Sequence, residues 1–306
     1  MHCNPQGGEG GNATIKGMEE SRVMLDPTSK IFGRAWKIYK KDFWKFVAIV
    51  VPPVVLIVIG VELLIYLKAA AFFGILFVLA GAVLFVLAAT GLILALAKRA
   101  EGVGEAYRRA MPFFWKALWL GILTELTVIG GVFMLVIPGI LLGTWFAFAS
   151  FALVLEGHRG MHAMSRSRDY VRGYWWPVFG RMFLLSIVVD IIAVILRTVI
   201  IAIIGPVAGE IVYYAFWSVA LPLELAYLYE IYENVRRVKP AVAESRGESK
   251  SNRPFFVTSA IIGLVAPIIL LILVGTVWAP AIENAQLQMM QQNQQMLQGY
   301  GGGNPS

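Results

Sequence analysis

The chain has 306 residues, 58% of them hydrophobic and only 15% charged, with a mean hydropathy of +0.70, which excludes a water-soluble globule of this length. Its net charge of +7 comes from Lys and Arg gathered beside apolar runs rather than on a separate basic domain, a pattern of membrane topology that argues against nucleic acid as a partner. A single cysteine, Cys3, rules out an intrachain disulfide.

In chain order, residues 1–24 are Gly-rich and polar and are expected to form a cytoplasmic tail without a core. Asp26, Thr28 or Ser29 offers a helix N-cap, with Pro27 in the first turn. A first span is predicted over 43–67, kinked by Pro52-Pro53, and a second over 70–97. The apolar run 117–155 is about twice the length that crosses a bilayer core as one helix, so it reads as two short spans meeting at Ile137-Pro138-Gly139. Spans five (178–204) and six (207–229) join at Gly205-Pro206. A polar linker covers 240–254, a seventh span 255–281, and a Gln/Gly-rich tail 282–306. The expected fold is an all-α polytopic membrane protein.

The basic segments share a pattern. Phe32, Trp36, Tyr39 and Phe43 match Val103, Tyr107, Ala110 and Phe114 at a constant offset of 71, and Met164, Arg168, Val171 and Trp175 follow imperfectly at 132. Each set has the spacing of one helical face and ends in an aromatic pair before an apolar run. The six spans therefore read as three hairpins, each preceded by an amphipathic interfacial helix (units 25–99, 100–156 and 157–239), with the seventh span outside the repeat. In this reading Lys37, Lys40, Lys41, Arg108, Arg109, Arg166 and Arg172 reach to headgroups, while Trp44, Trp115, Trp175 and Trp176 mark the boundary. Ordinary flanking of spans by Lys, Arg and Trp is the alternative. The basic clusters fall on one side of seven spans, which predicts a plasma or inner membrane protein with a cytoplasmic N-terminus and an external C-terminus.

Charged residues inside spans are default functional candidates: Glu62, Glu125, Asp190, Arg197, Glu210 and Glu224. Asp190 and Arg197 share a helix face, and Arg197 and Glu210 flank the Gly205-Pro206 turn, so the group reads as a structural lock, as a solute or proton path, or as a lipid-headgroup contact. His158 and His162 lack a third ligand at metal-site spacing. No nucleotide, hydrolase or zinc-protease motif occurs, so neither catalytic residues nor a cofactor is expected.

The segments IPGILLGTWFAFASFALVLEG and AMSRSRDYVRGYWWPVF carry Pro138, Gly139, Glu156, Gly157, Ala163, Ser167, Gly173, Trp175 and Trp176. This pattern resembles the membrane domain found in glycerophosphoryl diester phosphodiesterases and related prokaryotic integral membrane proteins, best over 100–239. The resemblance implies a membrane module that anchors, scaffolds or presents lipid; the family's catalytic barrel has no counterpart here. The function expected is thus a non-enzymatic scaffold or membrane-homeostasis module. Its partners are membrane lipids, anionic on the cytoplasmic side, with self-association or other membrane proteins left open. A transporter or channel using Glu125, Asp190, Arg197 and Glu224 is the alternative.

Overall fold

The computed structural model describes residues 25–67, 70–244, 253–278 and 287–292. The N-terminal tail, residues 245–252 of the linker and most of the C-terminal tail lie outside the described residues. The protein is all-α and polytopic, and among the described residues seven helical stretches are long and apolar enough to cross a membrane. Two compact units are formed, one from the described residues of 1–120 and 144–251, the other from those of 121–143 and 252–306.

In the first unit, α1 (Thr28–Lys41) leads through Asp42 into the hairpin of α2 (Phe43–Tyr66) and α3 (Ala71–Leu96). A Cβ on Gly60 would stand 2.7 Å from the Val78 nitrogen, and one on Gly74 2.9 Å from the Gly60 carbonyl. These glycines let the two helices pack backbone to backbone, a recurrent device where lipid supplies no hydrophobic drive between helices. Helix α2 runs unbroken through Pro52 and Pro53. Proline 53 deprives the Ile49 carbonyl of its i+4 donor, and the Tyr107 hydroxyl supplies a replacement at 2.6 Å.

Tyr107 belongs to α4 (Val103–Ala110), which passes through a 3-10 turn, Met111–Phe113, into α5 (Phe114–Met134). After α6 (Val136–Phe146) come α7 (Ala149–Leu155) and α8 (Met161–Val171), then the hairpin of α9 (Trp175–Ile203) and α10 (Pro206–Val238), and the short α11 (Pro240–Glu244). The three short basic helices pack chiefly on an apolar helix other than the one they lead into: α4 on α3, α8 on α7, and α1 on α10. The Tyr39 hydroxyl accordingly donates to the Val219 carbonyl at 2.9 Å, beside Pro222 of α10.

Two expectations are corrected here. Among the described residues no side chain caps α1; Pro27 occupies the N-cap position, and the Asp26 carboxylate is taken by Arg34 at 2.8 Å and by Lys30 at 3.5 Å. Helix α8 does not lie on the surface as an amphipathic helix: Ala163 through Arg168, Tyr170 and Val171 are all buried. Its polar side chains find partners within the protein, which is the condition for burying them.

In the second unit, α12 (Arg253–Leu273), ending in a π-helical stretch Val274–Trp278, packs on α5. A Cβ on Gly130 would run into the Ser259 carbonyl, and one on Gly263 into the Leu126 carbonyl. The seventh span is thus in backbone contact with residues of 121–143.

Candidate functional site

The Glu156 carboxylate, just after α7, gathers the end of the first unit's central helices. It accepts hydrogen bonds from the Tyr170 hydroxyl at 2.7 Å, the Tyr232 hydroxyl at 2.5 Å and Arg166 Nε at 2.9 Å, with His158 Nε2 at 3.5 Å. Both Arg166 and Glu156 are nearly sealed, at 7% and 8% side-chain exposure. Burial opposes ionisation of Glu156, but the two hydroxyls and the guanidinium outweigh it and hold the carboxyl below its ordinary range. Burial and then the Arg166 charge push His158 down.

Around this ion pair, Phe148, Phe151 and Tyr170 pack on the Tyr232 ring at centroid distances of 5.8, 5.2 and 5.7 Å. Arg166 Nη2 reaches the Ala243 carbonyl at 2.9 Å, and Lys239 Nζ binds the Asp169 carbonyl at 2.7 Å and that of Arg172, capping α8 with a cation. Ser167 bridges the break between α6 and α7, donating to the Trp145 carbonyl at 2.6 Å and accepting from the Phe148 amide at 3.0 Å. The chain enters and leaves α8 through Gly157 at φ +80° and Gly173 at φ +86°, left-handed positions that other residues adopt only with strain. Arg166 was expected at the headgroups; it is instead the counter-ion of Glu156, because an Arg this deeply buried needs one.

A second cluster ties α1 to α10. Arg34 Nε donates to Glu230 Oε2 at 2.7 Å and Nη1 to Asp26; the Asp26 amide donates to Asn234 Oδ1 at 3.1 Å, and Arg181 Nη2 to the Asp26 carbonyl at 2.7 Å. Hydrogen bonding from Arg34 leads in lowering Asp26 below its usual pKa. Arg34 and Arg166 are 132 positions apart, and each uses Nε to bind the Glu of the apolar helix it packs on. At the 71 offset stands Glu105, which instead accepts from the Glu101 amide at 2.8 Å and pairs with Arg109 at 2.6 Å.

With Arg166 buried, Arg109 paired and Arg108 and Arg172 exposed as single cations, the concentrated exposed charge lies on α1. Lys37, Lys40 and Lys41 are exposed there. Where α1 turns into α2, a cavity of about 570 Å3 opens between Trp36, Tyr39, Lys40, Lys41, Phe43, Trp44 and the Asp42–Lys45 pair, which closes at 3.1 Å. Lys40 Nζ stands 5.1 Å from the centre of the Trp36 ring, and Trp36 stacks on Tyr39 at 5.6 Å. Tyr39 is held as a neutral phenol, its pKa pushed up by burial to about 12. Three lysines against one carboxylate leave the cavity cationic, and the indoles give it an apolar wall, a combination suited to a phosphate on an acyl-chain carrier. Trp44, Trp115 and Trp176, second in their aromatic pairs, are 80%, 76% and 74% exposed, whereas Trp175 is half-buried.

Among the described residues of the first unit, Arg197 and Glu210 are the intramembrane charges that pair directly. Arg197 pairs with Glu210 across the α9–α10 turn, Nε to Oε1 at 2.9 Å, with side chains 43% and 27% exposed. Asp190 is exposed on α9, and Glu224 is half-buried on α10. Glu62 is half-buried on α2, and Glu125 is exposed on α5 in the other compact unit. Sequence reasoning named Glu156 and Ser167 only through resemblance and missed Arg34, Tyr170, Glu230 and Tyr232; the 132 offset from Arg34 to Arg166 was the available signal. Comparison with family models, curated proteins and solved structures finds no match to this chain.

Proposed function

We propose that the protein is a non-enzymatic integral membrane scaffold of the cell membrane, oriented with its N-terminus in the cytoplasm, that binds anionic phospholipid at the α1–α2 hinge. The observation that carries this reading is the hinge cavity, where Lys40, Lys41 and Lys45 stand beside Trp36 and Trp44. Arg34 supports it by fixing α1 to Glu230, so the lysines are presented from a held helix rather than a flexible arm. We read the three exposed tryptophans and the matched Arg34 and Arg166 contacts as traces of a three-unit repeat in which the third short helix has been internalised.

The proposed kinship with the phosphodiesterase membrane domain rests on Glu156, Gly157, Ser167 and Gly173, each of which has a structural task around α8. A transport path has less support: Arg197 is occupied by Glu210. Native mass spectrometry of the purified full chain tests the assignment. Wild type is expected to retain anionic phospholipid, and K40Q/K41Q/K45Q to lose it while keeping its elution profile. Equal retention by both proteins would overturn the site.

A further inference from the structure

A second cavity lies between α9 and α10, of about 210 Å3, walled by leucines and Met182, with Ser186, Tyr227 and Glu224 as its polar-bearing side chains. Glu224 lies on α10 within the apolar stretch 207–229, five residues from its end, roughly 8 Å along the helix at 1.5 Å per residue and so inside the edge of a bilayer core of about 30 Å. One of its carboxylate oxygens, Oε1, is buried with no hydrogen-bond partner. Asp190 stands one helical turn along α9 from Ser186 of the cavity wall and brings a second carboxylate to that helix face. Among the described residues neither carboxylate forms an ion pair; Arg181, next in the chain to Met182 of the cavity wall, gives Nη2 to the Asp26 carbonyl and Nε to Thr28 Oγ1, and its Nη1 is buried without a hydrogen-bond partner.

A carboxylate oxygen buried without a partner is unfavourable and demands a cation or a proton. The cavity is below the roughly 300–1,000 Å3 of pockets for drug-sized ligands, too small for a two-chain phospholipid head but sufficient for the end of one chain. A fatty acid would be repelled by both carboxylates, and an alcohol would leave them uncompensated. We infer that the α9–α10 cavity binds the amine end of a single-chain amphiphile from within the membrane, with Glu224 as its counter-ion, Asp190 adding attraction and Ser186 offering a hydroxyl. This site is independent of the α1–α2 hinge.

The test titrates dodecylamine, dodecanol and dodecanoate into the full chain in neutral detergent and follows saturable binding and melting. The amine is expected to bind about tenfold or more tighter than the alcohol, and the carboxylate not to saturate, as a charge-assisted contact requires. E224Q is expected to lose about tenfold in amine affinity and D190N roughly threefold. K40Q/K41Q/K45Q is expected to bind the amine like wild type. Equal binding of the three chains by wild type would overturn the site, whether or not E224Q folds. Undiminished amine binding by a folded E224Q would overturn it as well.

Discussion

Replacing Glu156 by Gln keeps the side chain's volume and removes its charge. Arg166, only 7% exposed, is then left facing a neutral amide. Breaking a buried ion pair by removing one partner costs about 3–5 kcal/mol, because the survivor is buried without compensation. Y232F removes one donor to the carboxylate while Tyr170 and Arg166 stay in place, so its cost is about 1.5–3 kcal/mol, the range for hydrogen bonds to charged groups. E156Q/R166M, which removes both charges, is expected to be more stable than E156Q. Equilibrium unfolding of the full chain in mixed detergent micelles measures all three. The pH dependence gives a second readout. Glu156 has a depressed folded pKa, so its contribution is complete above the unfolded value of about 4.3 and is lost as pH falls through the folded one. Wild type should lose stability on acidification below about pH 4.3, and E156Q should lose less over that window. An E156Q protein as stable as wild type, or a double variant no better than E156Q, would refute the reasoning.

Y107F leaves the Ile49 carbonyl without a donor at the Pro53 break; a loss of about 1–3 kcal/mol is expected by the same unfolding assay. Gly130→Leu collides with the Ser259 carbonyl and should destabilise by about 1–3 kcal/mol, with faster proteolysis of α12 than of α10 as the check. R197Q and E210Q each should lower the melting temperature, and the R197Q/E210Q pair should restore part of it, since the two side chains are partners.

Much of this architecture is legible in the sequence because the bilayer sets a length scale: the apolar runs expected over 43–67 and 70–97 announce themselves, whereas the break expected at Ile137-Pro138-Gly139 falls at Leu135, with Pro138 and Gly139 in the first turn of α6. The hinge cavity is legible too, since Trp36, Lys40, Lys41 and Trp44 are neighbours in the chain. What periodicity cannot report is which distant residue completes a charge. Arg166 and Arg172 look alike in SRSRDYVRGYWW, yet one is sealed against Glu156 and the other exposed. The difference comes from Tyr232, 76 residues from Glu156, and from Ala243. The same limit separates Arg197 from Asp190: one helical face made both candidates, and the partner across the turn, Glu210, decided which was taken.

Energy transfer from tryptophan to dansyl-phosphatidylglycerol tests the central claim most directly, measured on the full chain in phosphatidylcholine nanodiscs at low and high salt. Wild type is expected to show saturable transfer, displaced by unlabelled phosphatidylglycerol but not by phosphatidylcholine and weakened by salt, and K40Q/K41Q/K45Q to lose the saturable part. Transfer of equal strength in the triple variant, or displacement by both lipids alike, would contradict an anionic-lipid site at the α1–α2 hinge.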